Sequence, residues 1–71
     1  MIQTAKCAEF LTRSGQVGAT IYRSVGPSGT TYRYTGKWGA GSGIDIKTMR
    51  DDVSYWRANK RGMREKIPFN E

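Results

Sequence analysis

Apolar positions recur along this chain in two different rhythms, and each predicts an element. Between residues 17 and 38 the rhythm is alternate. Val17–Val25 and Thr30–Trp38 are rich in β-branched and aromatic residues and are separated by Gly26-Pro27-Ser28-Gly29. Pro27 suits the second position of a tight turn and Gly29 the fourth. A turn there sets Val25 opposite Thr30, Arg23 opposite Tyr32, Ile21 opposite Tyr34, Ala19 opposite Gly36 and Val17 opposite Trp38. That register gathers Val17, Ile21, Val25, Tyr34 and Trp38 on one face. It leaves Thr20, Tyr22, Ser24, Thr31, Arg33, Thr35 and Lys37 on the other. One apolar and one polar face is what a half-buried antiparallel hairpin requires.

From residue 46 the rhythm becomes helical. Ile46, Met49, Val53 and Trp56 fall at i, i+3, i+7 and i+10, an apolar stripe on a helix over 46–61. Lys47, Arg50, Ser54, Arg57 and Arg61 repeat that spacing one residue later, about 100° around the axis. The helix can therefore bury one side and carry a row of cations beside it. Asp45 or Thr48 can cap its start, Asp51 and Asp52 suit its positive end, Lys60 and Arg61 its negative end, and Gly62 its stop.

The remaining segments are less patterned. Thr4–Arg13 reads as a short helix, capped by Thr4 and ended by Ser14-Gly15, with Cys7, Ala8 and Leu11 on one side. A strand over Ala8–Thr12 is the alternative. Gly39–Gly43 reads as a flexible connector, and Ile44-Asp45-Ile46 as a short third strand or the lead into the helix. Residues 63–71 read as a polar tail that is either frayed or folded back through Ile67 and Phe69. The expected fold is a small α+β domain over residues 1–62. An antiparallel hairpin packs on a C-terminal amphipathic basic helix, with a short N-terminal helix closing part of the core and Trp38 and Trp56 supplying much of the burial.

The element order α-β-β-(β)-α is similar to that of double-stranded-RNA-binding domains, which place cations at the start of their last helix. Here that place reads Lys47-Thr48-Met49-Arg50-Asp51, without the Lys-Lys-x-Ala-Lys pattern of those domains. A hairpin followed by one helix is also similar to small three-stranded DNA-binding domains that insert a sheet into the major groove. Either likeness implies nucleic acid as a partner, and neither settles function by itself.

Length and composition narrow the rest. Seventy-one residues make one domain with a modest core. A single cysteine, Cys7, forms no internal disulfide, and the absence of histidine removes the usual zinc ligands and general bases. No metal, cofactor or catalytic role is therefore expected. Cys7 reads as a half-buried thiol, and Asp51 and Asp52 as helix N-terminal charges. Oligomerisation or partner binding is the expected source of any extra stability. No segment reaches the ~18 apolar residues of a membrane span, and the first residues lack the apolar run of a signal peptide, so a soluble cytoplasmic protein is expected.

Charge changes the picture most. Twelve Lys and Arg face six Asp and Glu, a formal charge of +6. The excess lies toward the C-terminus, the electrostatic footprint of a polyanion binder. The expected function is a non-enzymatic nucleic-acid-binding accessory or regulatory protein, for DNA or RNA. Arg57, Lys60, Arg61 and Arg64 are the expected phosphate contacts, and Lys47 and Arg50 extend their row. Tyr22, Arg33 and Lys37 form a second candidate surface, where an aromatic beside an arginine can stack a base. Gly39, Gly41 and Gly43 do not match a phosphate-binding loop, since no Gly-Lys-Ser/Thr follows. The alternative is a small protein-binding or inhibitor module, of the kind a mobile element can encode, acting through exposed Tyr22, Tyr32, Tyr55 and nearby arginines.

Overall fold

The computed structural model describes residues 3–70. The chain runs β1 (Gln3–Leu11), β2 (Val17–Gly26), β3 (Gly29–Gly36), β4 (Gly39–Ile44), α1 (Ile46–Asn59) and β5 (Arg64–Ile67). It is a small α+β domain: one five-stranded antiparallel sheet, in the order β4-β3-β2-β1-β5, and one helix. The hairpin forms in the register read from its turn, with Val25 opposite Thr30, Arg23 opposite Tyr32 and Ile21 opposite Tyr34. The ladder ends at Thr20–Thr35, short of the expected Ala19–Gly36 and Val17–Trp38 pairs. Beyond it Lys37 N–H donates to the Val17 carbonyl at 3.2 Å and Trp38 N–H to the Gly18 carbonyl at 3.0 Å. Gly36 permits this close approach: a Cβ there would collide with the Gly18 carbonyl oxygen.

Three segments depart from the sequence-based expectation. The N-terminal segment is not the expected helix but a strand, longer than the Ala8–Thr12 alternative: β1, paired with β2 from Gln3–Val25 to Leu11–Val17 around a bulge at Cys7. An isolated three-turn helix gains little over the coil, whereas this strand finds a partner along nearly its whole length. After the bulge Ala8 and Phe10 point into the core and Glu9 away from it. The glycine-rich connector is likewise β4, paired with β3 through Tyr32–Ile44 and Tyr34–Gly41. Glycine lets this edge strand lie close to the Tyr34 ring, which stands 3.1 Å from where a Gly41 Cβ would be. The segment expected as a frayed or folded-back tail does fold back: it supplies β5, paired with β1, and the helix is therefore not the last element. With a strand at the N-terminus, the element order no longer follows the α-β-β-(β)-α pattern.

Helix α1 leaves β4 at one sheet edge and delivers the chain to β5 at the other. Fourteen residues at about 1.5 Å each give about 21 Å, and four inter-strand gaps of about 4.8 Å give about 19 Å. The helix is thus as long as the sheet is wide. Asp45 caps it, accepting the Thr48 N–H at 2.8 Å. Met49, Val53 and Trp56 are buried against Ala8, Phe10, Ala19, Ile21 and Tyr32. The Trp56 ring meets Phe10, Tyr34 and Trp38 at centroid distances of 5.9, 5.0 and 5.6 Å. Val17 and Val25, expected inside, are 41 % and 45 % exposed because they lie at the two ends of β2, beyond the helix. Tyr32, expected on the surface, is 5 % exposed and stacked edge-on with Phe69. The hairpin register already places it on the face of Ile21 and Tyr34. No helix among the described residues is long and apolar enough to cross a membrane.

Candidate nucleic-acid interface

Three turns meet at one end of the sheet and border a wide, open cleft of about 680 Å³. The first is the β1–β2 turn, with Thr12, Arg13 and Ser14. It is held by Thr12 N–H to Gln16 O at 2.7 Å, Gly15 N–H to Thr12 O at 2.9 Å and Gln16 N–H to Thr12 Oγ1 at 3.1 Å. The second is the β3–β4 tip, Lys37 and Trp38, anchored where Lys37 N–H and Trp38 N–H donate to the carbonyls of Val17 and Gly18 at 3.2 and 3.0 Å. The third is the end of α1, with Asn59, Lys60 and Arg61. There Lys60 N–H closes the last helical bond to Trp56 O at 2.8 Å, and Met63 N–H turns the chain back to Lys60 O at 3.2 Å.

Two glycines make room for this arrangement. Gly18 lies under the Trp38 indole, and a Cβ there would sit 2.5 Å from Cε2 and Cζ2. Gly62 takes φ +75°, in the left-handed region, and a Cβ there would meet Arg13 Cγ at 2.8 Å. The arginine stem thus lies across the turn that ends the helix, which brings Arg13 beside Lys60 and Arg61. Trp38 is half-buried, backed by Trp56, with the Lys60 ammonium 5.8 Å from its ring centroid.

The electrostatics of the cleft are one-sided. Arg13, Lys37, Lys60 and Arg61 line it, and no carboxylate among the described residues does. None of these four takes part in an ion pair among the described residues. Lys37 donates to the neutral Gln16 Oε1 at 2.8 Å. Three of the acids are engaged elsewhere: Glu9 lies 3.7 Å from both Lys6 and Lys66, Glu65 takes Arg57, and Asp45 caps the helix. The last carbonyls of α1 put a partial negative charge near the cleft, worth about half an elementary charge. Four full cations outweigh it.

The residues singled out from sequence divide among four places. Lys37, Lys60 and Arg61 come together in the cleft. Tyr22 and Arg33 are cross-strand neighbours on the sheet face away from the helix, the guanidinium 4.6 Å above the ring. Lys47 and Arg50 lie on the first turns of α1, at the end opposite the cleft. Arg57 is engaged by Glu65, donating to Oε1 through Nε at 3.1 Å and through Nη2, and Arg64 is on edge strand β5 opposite Leu11. The helical row of cations is therefore split between two ends of the molecule. Sequence reading missed Arg13 as a site residue and assigned Trp38 to the core alone. Arg13 is far from Arg61 in sequence, and the β1–β5 pairing, with Leu11 opposite Arg64, brings them together. A signal was present in the turn-forming Ser14-Gly15 directly after Arg13, which exposes that side chain on a loop.

The outer sheet face is a weaker candidate. Its central row, Arg33–Tyr22–Lys6, holds two cations, of which Lys6 is 3.7 Å from Glu9. Cys7 sits in the β1 bulge, where burial pushes its thiol pKa up and Arg23 partly offsets the rise. Among the described residues no group of three or more His, Cys, Asp or Glu converges.

No known protein family, curated protein or solved structure matches this chain.

Proposed function

We propose that this protein binds nucleic acid as a non-enzymatic accessory or regulatory factor, with the three-turn cleft as its principal contact. One observation carries the reading: Arg13, Lys37, Lys60 and Arg61, drawn from three separate turns, line one cleft that no carboxylate among the described residues enters. Gathering four like charges costs free energy in the free protein. That repulsion is relieved when a polyanion neutralises them and releases its own counterions. Arg57 and Arg64, first expected as phosphate contacts, stand outside the cleft, and the reading rests on Lys60 and Arg61 with Arg13.

The test is fluorescence anisotropy with labelled duplex DNA, single-stranded DNA and duplex RNA between 50 and 200 mM salt. Neutralising four phosphates gives a slope of log K against log salt of roughly −3 on single strands and −3.6 on duplex DNA. The Arg13→Ala/Lys60→Ala/Arg61→Ala variant should bind more weakly and with a shallower slope. Unchanged affinity in that variant, with its fold verified by circular dichroism, would remove the cleft from the reading. No binding at 50 mM salt would overturn the reading itself and turn attention to a protein partner.

A further inference from the structure

We propose that the cleft takes a single strand, with one unpaired base stacked on Trp38 and the flanking phosphates held by Arg13, Lys60 and Arg61. This inference rests on the nucleic-acid reading above and adds the form of the ligand.

Shape comes first. Proteins that read a duplex push a convex element, a helix or a β-ribbon, into a groove. Here the cations border an open hollow, with no projecting helix or ribbon, at the end of a molecule only 19 Å across in its two shorter dimensions. A duplex keeps its bases stacked on one another and offers such a recess only phosphates. A single strand can turn a base into it. The volume, about 680 Å³, is within the range of small-ligand clefts and suits one or two nucleotides.

The aromatic group is the second observation. Trp38 is the one aromatic residue among the described residues that lines the cleft. Its indole is held before any ligand arrives: the backbone N–H is fixed to Gly18 O at 3.0 Å, the ring rests on a residue without a side chain, and Trp56 stands behind it at 5.6 Å. A platform ordered in advance loses little entropy on stacking a base. On the cleft side, the Lys60 ammonium lies 5.8 Å from the ring centroid. It stands at the end of a flexible four-carbon stem. An incoming base displaces that ammonium from the ring, and the displaced charge finds the strand's own phosphate. Lys60 thus serves Trp38 in the free protein and the backbone in the complex.

The test compares four ligands with the wild-type chain: thymidine monophosphate, a thymidine hexanucleotide, a 12-base-pair DNA duplex and the same duplex melted to one strand. Tryptophan emission and anisotropy are read together. The expected result is saturable quenching by the hexanucleotide and the single strand, tighter binding of single strand than duplex at equal salt, and weak binding of the mononucleotide. Trp38→Leu should lose roughly 5- to 150-fold in single-strand affinity, which is about 1–3 kcal/mol per stacked base at about 1.4 kcal/mol per tenfold, and should lose much less in duplex affinity. Trp38→Phe, which keeps a ring, should retain most of the preference; it also serves where Trp38→Leu fails to fold. Duplex binding equal to or tighter than single-strand binding, without quenching, would overturn the single-strand inference and leave the nucleic-acid reading standing. Mononucleotide binding as tight as the hexanucleotide would overturn it in favour of a free-nucleotide site. Absence of binding by all four would overturn both.

Discussion

At the scale of single residues, Trp56 and Gly18 do the most to hold the fold and the cleft together. Trp56 is 5 % exposed and meets three aromatic rings drawn from β1, β3 and the β3–β4 tip. Trp56→Ala removes the ring that joins the helix to the sheet, and should cost about 3–5 kcal/mol, most of the stability of so small a domain. Urea unfolding followed by circular dichroism reads this directly. An unchanged midpoint would mean that the helix docks by other means. Gly18 acts by lacking a side chain. Gly18→Val forces carbon into a space where the Trp38 indole already lies 2.5 Å away, so the ring must move. The expected cost is about 1–3 kcal/mol, the range for overpacking. The same displacement should loosen the cleft, and it is visible as a change in the near-ultraviolet tryptophan signal.

At the scale of elements, α1 carries two carboxylates that respond to pH in opposite senses. The Asp45 carboxylate accepts hydrogen bonds from Thr48, first from its backbone N–H, and its pKa is held below the ordinary value. A depressed acid contributes stability that is full above its unfolded pKa and is lost as pH falls through the folded one. Asp52 is the reverse: partial burial, and then the neighbouring Asp51 charge, push its pKa up. Its ionised form is disfavoured in the fold, so its contribution improves as pH falls through that raised value. Asp45→Ala should therefore lower the melting temperature at pH 7 and flatten the loss of stability below about pH 4. Asp52→Asn should melt at or above the wild type at pH 7. A lower melting temperature for Asp52→Asn at pH 7 would contradict the assigned sign. The helix was legible in the sequence, and its cap was narrowed to Asp45 or Thr48, because both rest on neighbours within a few residues; Asp45 is the cap. The hairpin was legible for the same reason, since the Pro27–Gly29 turn sets its register locally. β1 and β4 were not. Both acquire their conformation from a partner strand, through the Cys7 bulge in one and through glycines fitted to Tyr34 in the other. The local signals in those stretches point first to helix and to loop, with strands only as alternatives over Ala8–Thr12 and Ile44–Ile46. The candidate site was half legible on the same terms. Lys60 and Arg61 stand out as a local run, while Arg13 and Trp38 join them only through the assembled sheet.

At the scale of the whole molecule, the proposed function turns on how a formal charge of +6 is distributed. The helix crosses the full width of the sheet, so the two ends of its cationic row lie at opposite edges. Lys47 starts at the β4 side among Asp45, Asp51 and Asp52, and Lys60 and Arg61 finish in the cleft beside Arg13 and Lys37. Charges about 20 Å apart are screened from one another at physiological salt, where the Debye length is about 8 Å. A uniform basic surface and a localised site therefore make different predictions from the same net charge. Lys47→Glu and Arg61→Glu change net charge equally. If attraction depended on the overall field, both would weaken binding alike. If the cleft is where the strand binds, Arg61→Glu should reduce affinity at least tenfold at 150 mM salt, and Lys47→Glu by less than about twofold. Removing one cation that neutralises a phosphate should also lower the salt slope by about 0.7 on single strands or 0.9 on duplex DNA, so the two variants separate in slope as well as affinity. Equal effects in both measurements would assign binding to the net charge and leave the convergence of four cations around Trp38 without a role.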